Sequence, residues 1–193
     1  HFLFNVLNSI QQFFLKDDGL NGHKYLKKFA KLVRIVLNTT DKTYLTIENE
    51  LDYLKRYVEL EQLRSNIDFT FQIDLDNRIN PQELYLPSMT IQPFIENSIW
   101  HAFDSQTSAP TILLQFQIAD HELEITITDN GKGFDTENNA IYKSRKKQPR
   151  GVQIVKERLD VLGAHDQTKM KLSVESQAGA GTKITLTTPL RYD

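Results

Sequence analysis

The sequence predicts an α+β fold, in which a helical N-terminal region precedes a mainly antiparallel sheet with helices on one face. Two observations carry this prediction. Apolar residues recur every three to four positions over residues 1–65, as they do in amphipathic helices. Beyond that point they alternate with polar residues in several short segments, which is typical of strands buried on one face. We therefore expect a helical region at 1–65 and an α+β region at 66–193.

The first region is predicted to contain three helices. The opening stretch, HFLFNVLNSI, places a broad apolar arc opposite a narrow polar stripe that includes His1, and this helix is expected to end near Leu15. The segment KDDGLNG then interrupts it with two glycines. Apolar residues at helical spacing mark a second helix: Leu26, Phe29, Val33 and Leu37. A third helix begins near Thr46, whose hydroxyl can cap it, and ends near Ser65.

Strands and helices are mixed in the second region. Alternating residues predict strands at 67–73, 112–118, 123–127 and 184–186. Two helical stretches are expected between them, at about 88–103 and 150–162. Because antiparallel sheets commonly leave one face in solvent, we expect both helices to cover the other face.

Composition limits the classes of function. The 193 residues are 39% hydrophobic and 25% charged with a formal net charge of −2, so nothing favours nucleic acid or an anionic membrane as a partner. The absence of cysteine excludes disulfides and thiolate metal sites and fits a reducing compartment. No stretch reaches the roughly 18 apolar residues of a membrane helix. Because the sequence starts without methionine inside a predicted helix, we expect a fragment whose sensor or membrane part lies upstream.

Three polar residues of the stretch PFIENSIWHA fall close together on a predicted helix. Glu96, Asn97 and His101 offer two oxygen ligands and an imidazole within about one turn. An amide oxygen suits Mg²⁺, which keeps its waters and takes further ligands from substrate phosphates. A plain polar patch on an amphipathic helix fits the same residues, and this stretch alone does not decide between the two.

Glycines follow the other polar residues of interest. In TDNGKGFD, Asp129 ends a strand and can accept a hydrogen bond from an amine such as that of adenine, while Gly131 and Gly133 let the backbone turn and approach a ligand. A tight Asn-Gly turn is the alternative. In PRGVQIVKERL, Gly151 opens a helix whose free N–H groups can bind an anion, although a flexible helix start explains it as well. The stretch GAGTKITL places three more candidates in a turn before the last strand: Gly179, Gly181 and Thr182.

The order of these motifs resembles the ATP-binding domain of the GHKL group, whose fold is the Bergerat α/β sandwich. Residues 82–193 are similar to it in four motifs, namely the N box at Glu96 and Asn97, the G1 box at 129–133, the G2 box around Gly151 and the last box at 179–182. Residues 1–64, with HFLFNVLNSI and LDYLKRYVELEQLR, resemble the dimerisation and phosphoacceptor region of sensor histidine kinases that pair with LytTR-type response regulators.

The resemblance implies a role for each matching residue. His1 would accept a phosphoryl group from ATP, and Glu96 would orient or deprotonate its imidazole. Asn97 would hold Mg²⁺, Asp129 would bind the adenine amino group, and His101 would touch phosphate. The remaining residues would approach the nucleotide or close its pocket: Gly131, Gly133, Gly151, Gly179, Gly181 and Thr182. The basic segment YKSRKKQPR would form a lid near the triphosphate.

The sequence departs from the family pattern at three places. Trp100 stands where relatives often carry a lysine, which removes a possible phosphate contact. Pro149 or Arg150 replaces a usual glycine, and Ile154 replaces a common asparagine. Arg150 can supply the lost positive charge, whereas the proline stiffens a loop that is expected to fold over ATP.

Two classes of function follow. The first is an enzyme, a Mg·ATP-dependent protein-histidine kinase that forms a homodimer through residues 1–40 and passes its phosphoryl group to a response-regulator aspartate. The second is a binding module, a degenerate kinase that senses nucleotide or holds a partner without catalysis. A plain ATPase is disfavoured because Pro93 occupies the position where such relatives carry a water-activating carboxylate. A kinase core of this kind is expected in the cytoplasm, with the whole protein anchored in a membrane by a segment outside this sequence.

Overall fold

The computed structural model describes Val6 and residues 19–39, 41–65, 67–134 and 150–192. Its helices are α1 (Gly19–Thr39), α2 (Ile47–Arg64), α3 (Gln92–Asn97) and α4 (Arg150–Asp166), and a π-helical turn, Ser98–Ala102, continues α3. Its strands are β1 (Tyr44–Thr46), β2 (Thr70–Leu75), β3 (Tyr85–Pro87), β4 (Thr111–Ala119), β5 (Glu122–Asp129), β6 (Lys171–Gln177) and β7 (Gly181–Pro189). Within the described residues, no helix combines the length and the apolar character that a membrane-spanning segment needs.

A five-stranded sheet forms the centre of the second half. Its strand order is β2-β4-β5-β7-β6, and every pair is antiparallel except β2 with β4. In β5, Ile125 and Ile127 are buried and face buried residues of β4 and β7. Helices α3 and α4 add Phe94, Val155 and Leu159 to the same hydrophobic core. The predicted mainly antiparallel α+β sheet layer is therefore confirmed, and each fully buried side chain of this size contributes about 1.5–3 kcal/mol.

Helix α2 begins and ends as its sequence predicts. Thr46 caps it by accepting a hydrogen bond from the backbone N–H of Asn49, and the helix ends at Arg64 with Ser65 as its C-cap. Helix α2 also contacts the second half, since Gln62 Nε2 donates a hydrogen bond to the carbonyl oxygen of Phe69. Strand β1, which directly precedes this helix, pairs with β3 of the second half. The domain boundary expected near residues 64–67 stays a prediction.

Three local features differ from the expected elements. The helix expected from residue 88 begins at Gln92, because Ser88–Thr90 form a turn in which Met89 has a φ of 55°. Helix α1 begins at Gly19 inside the predicted interruption, and its buried side includes Gly22. Strands β1, β3 and β6 were not predicted: β1 and β3 have three residues each, and β6 is an edge strand with no fully buried residue and two apolar residues, Leu172 and Val174.

Glu50 is a buried carboxylate in the first turn of α2. Its Oε2 accepts a hydrogen bond from the backbone N–H of Met89 at 3.3 Å, and the charge of Arg158 on α4 lies near enough to favour ionisation. Burial outweighs both effects and raises the pKa of Glu50 to about 7. The carboxyl therefore connects α2 to the turn before α3, and its ionisation lowers the free energy of unfolding by an amount that depends on pH.

Glu50→Gln should remove that pH dependence. Because the folded-state pKa is raised above the unfolded value, the folded chain binds the proton more tightly, and the free energy of unfolding falls as pH rises from about 4.5 to about 7. The free energy of unfolding of the parent should fall by up to about 3 kcal/mol across this range. The variant should be more stable than the parent at about pH 8 and similar in stability to it at about pH 5. Urea unfolding at both pH values measures this. Glu48→Gln, exposed in the same turn, is the control, and an equal pH dependence in parent and Glu50→Gln contradicts the assignment.

Candidate functional site

A cavity of about 680 Å³ lies where α3, its π-helical continuation, the start of α4 and the ends of β5 and β7 meet. Polar residues line one part of it: Asn97, Ser98, His101, Asp129, Lys132 and Thr182. Apolar residues line the rest, among them Phe94, Phe134, Val152, Val174 and Ile184. Residues from all four sequence motifs thus come together in one cavity, as expected for a binding site with an apolar wall and a few placed polar groups.

Asp129 is the buried acid of this cavity. It ends β5 with 5% of its surface exposed, and its carboxylate accepts hydrogen bonds from Ser98 Oγ at 2.9 Å and from the backbone N–H of Gly131 at 3.1 Å. Burial raises the pKa of Asp129, and these hydrogen bonds oppose the rise. An ionised carboxylate can only accept hydrogen bonds, so this group suits a ligand that presents a donor such as an exocyclic amine.

The π-helical turn brings the polar residues of the first motif to the cavity. Ser98–Ala102 follows α3 without a break, and its wider winding is of a kind often found at functional sites. Asn97 and His101 both line the cavity, while the single O–H of the buried Ser98 has the carboxylate of Asp129 at 2.9 Å and the carbonyl oxygen of Phe94 at 3.2 Å as acceptors within reach. Helix and sheet are joined at the site by this hydroxyl.

Glycines allow main-chain segments to pack closely around Asp129. A Cβ at Gly181, whose φ is 85°, would overlap the carbonyl oxygen of Asp129, and a Cβ at Gly131 would overlap the carbonyl oxygen of Ala102. Gly133, with a φ of 55°, meets the carbonyl oxygen of Gln177 in the same way. These glycines therefore fix the shape of the site, and their predicted approach to a nucleotide stays a prediction.

Six of the predicted site residues line this cavity: Asn97, His101, Asp129, Gly133, Gly151 and Thr182. Arg150 is described only as the first residue of α4, and Gly179 lies in the turn before β7, where an added Cβ would meet no atom within 4 Å. His1 and most of the predicted lid lie outside the described residues. Sequence analysis missed Ser98 and Lys132, although both stand next to or between residues it had selected.

Glu96 lines a neighbouring cavity of about 510 Å³ together with Arg64 and Trp100. The two cavities share Asn97, His101 and Gly151. Among the described residues, no group of three or more His, Cys, Asp or Glu side chains is arranged to hold a metal ion. A divalent ion at Asn97 would therefore take most of its ligands from water and from a bound phosphate, which is how Mg²⁺ is usually held.

Family models match both halves of the chain. Residues 87–192 match the model described as histidine kinase-, DNA gyrase B- and HSP90-like ATPase, and residues 1–69 match the model described as histidine kinase. The chain belongs to the histidine kinase-, DNA gyrase B- and HSP90-like ATPase family, which confirms the resemblance seen in its motifs.

Individual relatives agree with this assignment. The sensor histidine kinase YesM of Bacillus subtilis is 27% identical over 193 residues, which cover all of this chain and 32% of that protein. The sensor protein LytS of Oceanobacillus iheyensis is 28% identical over 135 residues, which cover 70% of this chain and 23% of that protein. The chain thus spans less than a third of the length of these relatives. A histidine kinase domain from Erythrobacter litoralis shares the fold, with a TM-score of 0.56 at 17% identity over 86% of this chain and 75% of that chain.

Proposed function

We propose that the chain is the kinase core of a two-component sensor histidine kinase, which phosphorylates His1 from ATP and passes the phosphoryl group to a response-regulator aspartate. The observation that carries the proposal is the buried carboxylate of Asp129 in a cavity whose rim holds Asn97 and His101. Family membership and relatives named as sensor histidine kinases support it.

The cavity fits an adenine nucleotide by its chemistry. Asp129 would accept a hydrogen bond from the adenine amino group, and the apolar wall that includes Phe94 and Val152 would contact the base. Asn97 would ligate Mg²⁺ through its amide oxygen, with His101 and the N-terminal N–H groups of α4 near the phosphates. The bound Mg²⁺ would neutralise phosphate charge, which is its usual contribution to phosphoryl transfer.

The reaction needs positioning more than covalent help from the protein. A neutral imidazole nitrogen of His1 would attack the γ-phosphorus, forming an N–P bond as the P–O bond to the β-phosphate breaks and ADP leaves. Glu96 would orient the acceptor imidazole from the neighbouring cavity. In the second transfer, an aspartate oxygen of the regulator would replace the nitrogen on phosphorus and restore His1.

The partners follow from the same proposal. A homodimer through residues 1–40 is supported by three leucines of α1 that are exposed in this chain: Leu20, Leu26 and Leu37. Fully buried Val6, in the predicted apolar arc of the first helix, agrees with that arc. The relatives named LytS are consistent with a response regulator of the LytTR type. We place the kinase core in the cytoplasm, where ATP is available, and expect a membrane anchor upstream of it.

Asp129→Asn should weaken ATP binding by about 1–3 kcal/mol, because an amide NH₂ would face hydrogen-bond donors in a buried site. Preference for ATP over GTP should fall with it. The ATP affinity of the parent should also decline as pH falls through the raised pKa of Asp129, because only the ionised carboxylate accepts hydrogen bonds with both of its oxygens. The variant should lack this decline.

Calorimetric titration with Mg·ATP and Mg·GTP measures these effects. Asp160→Asn, an exposed carboxylate change on α4, is the control and should leave both affinities unchanged. If Asp129→Asn keeps the affinity and selectivity of the parent, adenine is not bound at Asp129.

A further inference from the structure

The second cavity continues the nucleotide site toward α2. Asp129 lines the first cavity, Arg64 and Glu96 line the second, and Asn97 lines both. A nucleotide with its base at Asp129 and its metal-bound phosphates at Asn97 would have the cavity of about 510 Å³ next to its terminal phosphate, because Asn97 lines both cavities.

Arg64 is held firmly at the edge of this cavity. Its guanidinium carbon lies 4.1 Å from the centre of the Trp100 ring, and its Nη2 donates a hydrogen bond to the fully buried Glu61. Only 13% of the Arg64 side chain is exposed. Stacking on one side and an ion pair on the other fix the guanidinium with little remaining side-chain freedom.

A phosphate group in this cavity would lie near the negative charge of Glu96, so a cation is needed to offset the repulsion. Glu96 lines the cavity; burial is the main cause that raises the pKa of Glu61, and the nearby charge of Glu96 adds to it. Among the described residues that line this cavity, Arg64 is the only lysine or arginine. A guanidinium has five N–H donors in a planar fork that matches phosphate oxygens, and the bond to Glu61 leaves donors of that fork unused.

We infer that Arg64 binds the terminal phosphate of the nucleotide and that Trp100 and Glu61 hold its guanidinium in place. The inference rests on the proposed function, because it takes the adenine at Asp129 and the Mg²⁺ at Asn97 as given. Arg64 neutralises charge on the γ-phosphoryl oxygens while the P–O bond breaks and the N–P bond forms, and it exchanges no proton. Trp100 thereby supplies a platform for a cation that comes from α2.

The test compares ATP with ADP, which lacks the phosphate in question. In calorimetric titrations of the chain with Mg²⁺ present, Arg64→Met should weaken ATP binding about tenfold or more and ADP binding less than about threefold, as expected for loss of a charge-assisted hydrogen bond. Arg64→Lys should recover part of the ATP affinity, because it keeps the charge and loses the fork. Arg56→Met, an arginine of the same helix in an exposed ion pair with Asp52, should change neither affinity.

A second variant separates phosphate binding from folding, since Arg64→Met leaves Glu61 buried without its ion pair. Glu61→Gln with Arg64→Met removes both charges and should show the same selective loss of ATP with ADP affinity retained. Equal losses for ATP and ADP, or an unchanged ratio in the double variant, overturn the inference and make Arg64 a structural residue. A parent chain that binds neither nucleotide overturns the proposed function itself.

Discussion

His1→Gln should abolish autophosphorylation while ATP affinity stays within about threefold of the parent, because glutamine keeps a polar side chain but lacks the nucleophilic ring nitrogen. Of the five histidines, His1 is the one in the polar stripe of the opening motif. His101 lines the nucleotide cavity, where a phosphate contact is the expected role. Incubation of a longer chain, with the residues before His1 restored, with γ-labelled Mg·ATP measures the effect.

The matched control is His23→Gln, an exposed histidine of α1 in the same helical region. It should be labelled at the rate of the parent. Labelling of His1→Gln at that rate contradicts the assignment of the acceptor, and calorimetry on the same samples shows whether nucleotide binding was preserved.

Gly181→Ala should destabilise the chain by about 2 to 5 kcal/mol and also weaken nucleotide binding. The φ of 85° is unfavourable for any residue with a Cβ, and that Cβ would overlap the carbonyl oxygen of Asp129. Since the obstacle is main chain, the end of β5 must move, and the carboxylate of Asp129 moves with it. Chemical denaturation and ATP calorimetry measure the two effects.

Gly179→Ala is a close control for this change. Gly179 has a φ of 79°, yet no atom lies within 4 Å of the position of its added Cβ. It should therefore cost only the backbone strain, about 1–2 kcal/mol, and leave ATP affinity unchanged. Equal effects of the two alanine substitutions would show that overlap with Asp129 is not what matters at Gly181.

Local patterns in the sequence carry much of the fold. Strands β4 and β5 were predicted because apolar residues recur at every second position along each of them, and α2 because Thr46 supplies a cap at its start. Strand β6 has no fully buried residue and contains two apolar residues, Leu172 and Val174, which form too short a pattern to mark a strand. The turn at Met89 adopts a positive φ without glycine, so no local signal marked it.

The candidate site, like the fold, could be predicted only in part from the sequence. Asp129, Asn97 and Gly151 were selected because glycines and polar residues stood in a recognisable order, and they line one cavity. The hydrogen bond from Ser98 to Asp129 and the stacking of Arg64 on Trp100 connect residues 31 and 36 positions apart. Such contacts depend on how the helices pack on the sheet and on one another, so no spacing along the sequence predicts them.

The most direct test of the kinase assignment is the chemistry of the label on the parent chain. After incubation of the longer chain with γ-labelled Mg·ATP, the account predicts label on the protein that mild acid removes and base preserves, as for a phosphate on nitrogen, and none from α-labelled ATP. A chain that binds ATP and is never labelled, or that only releases free phosphate, would contradict it and leave a nucleotide-binding module or a plain ATPase.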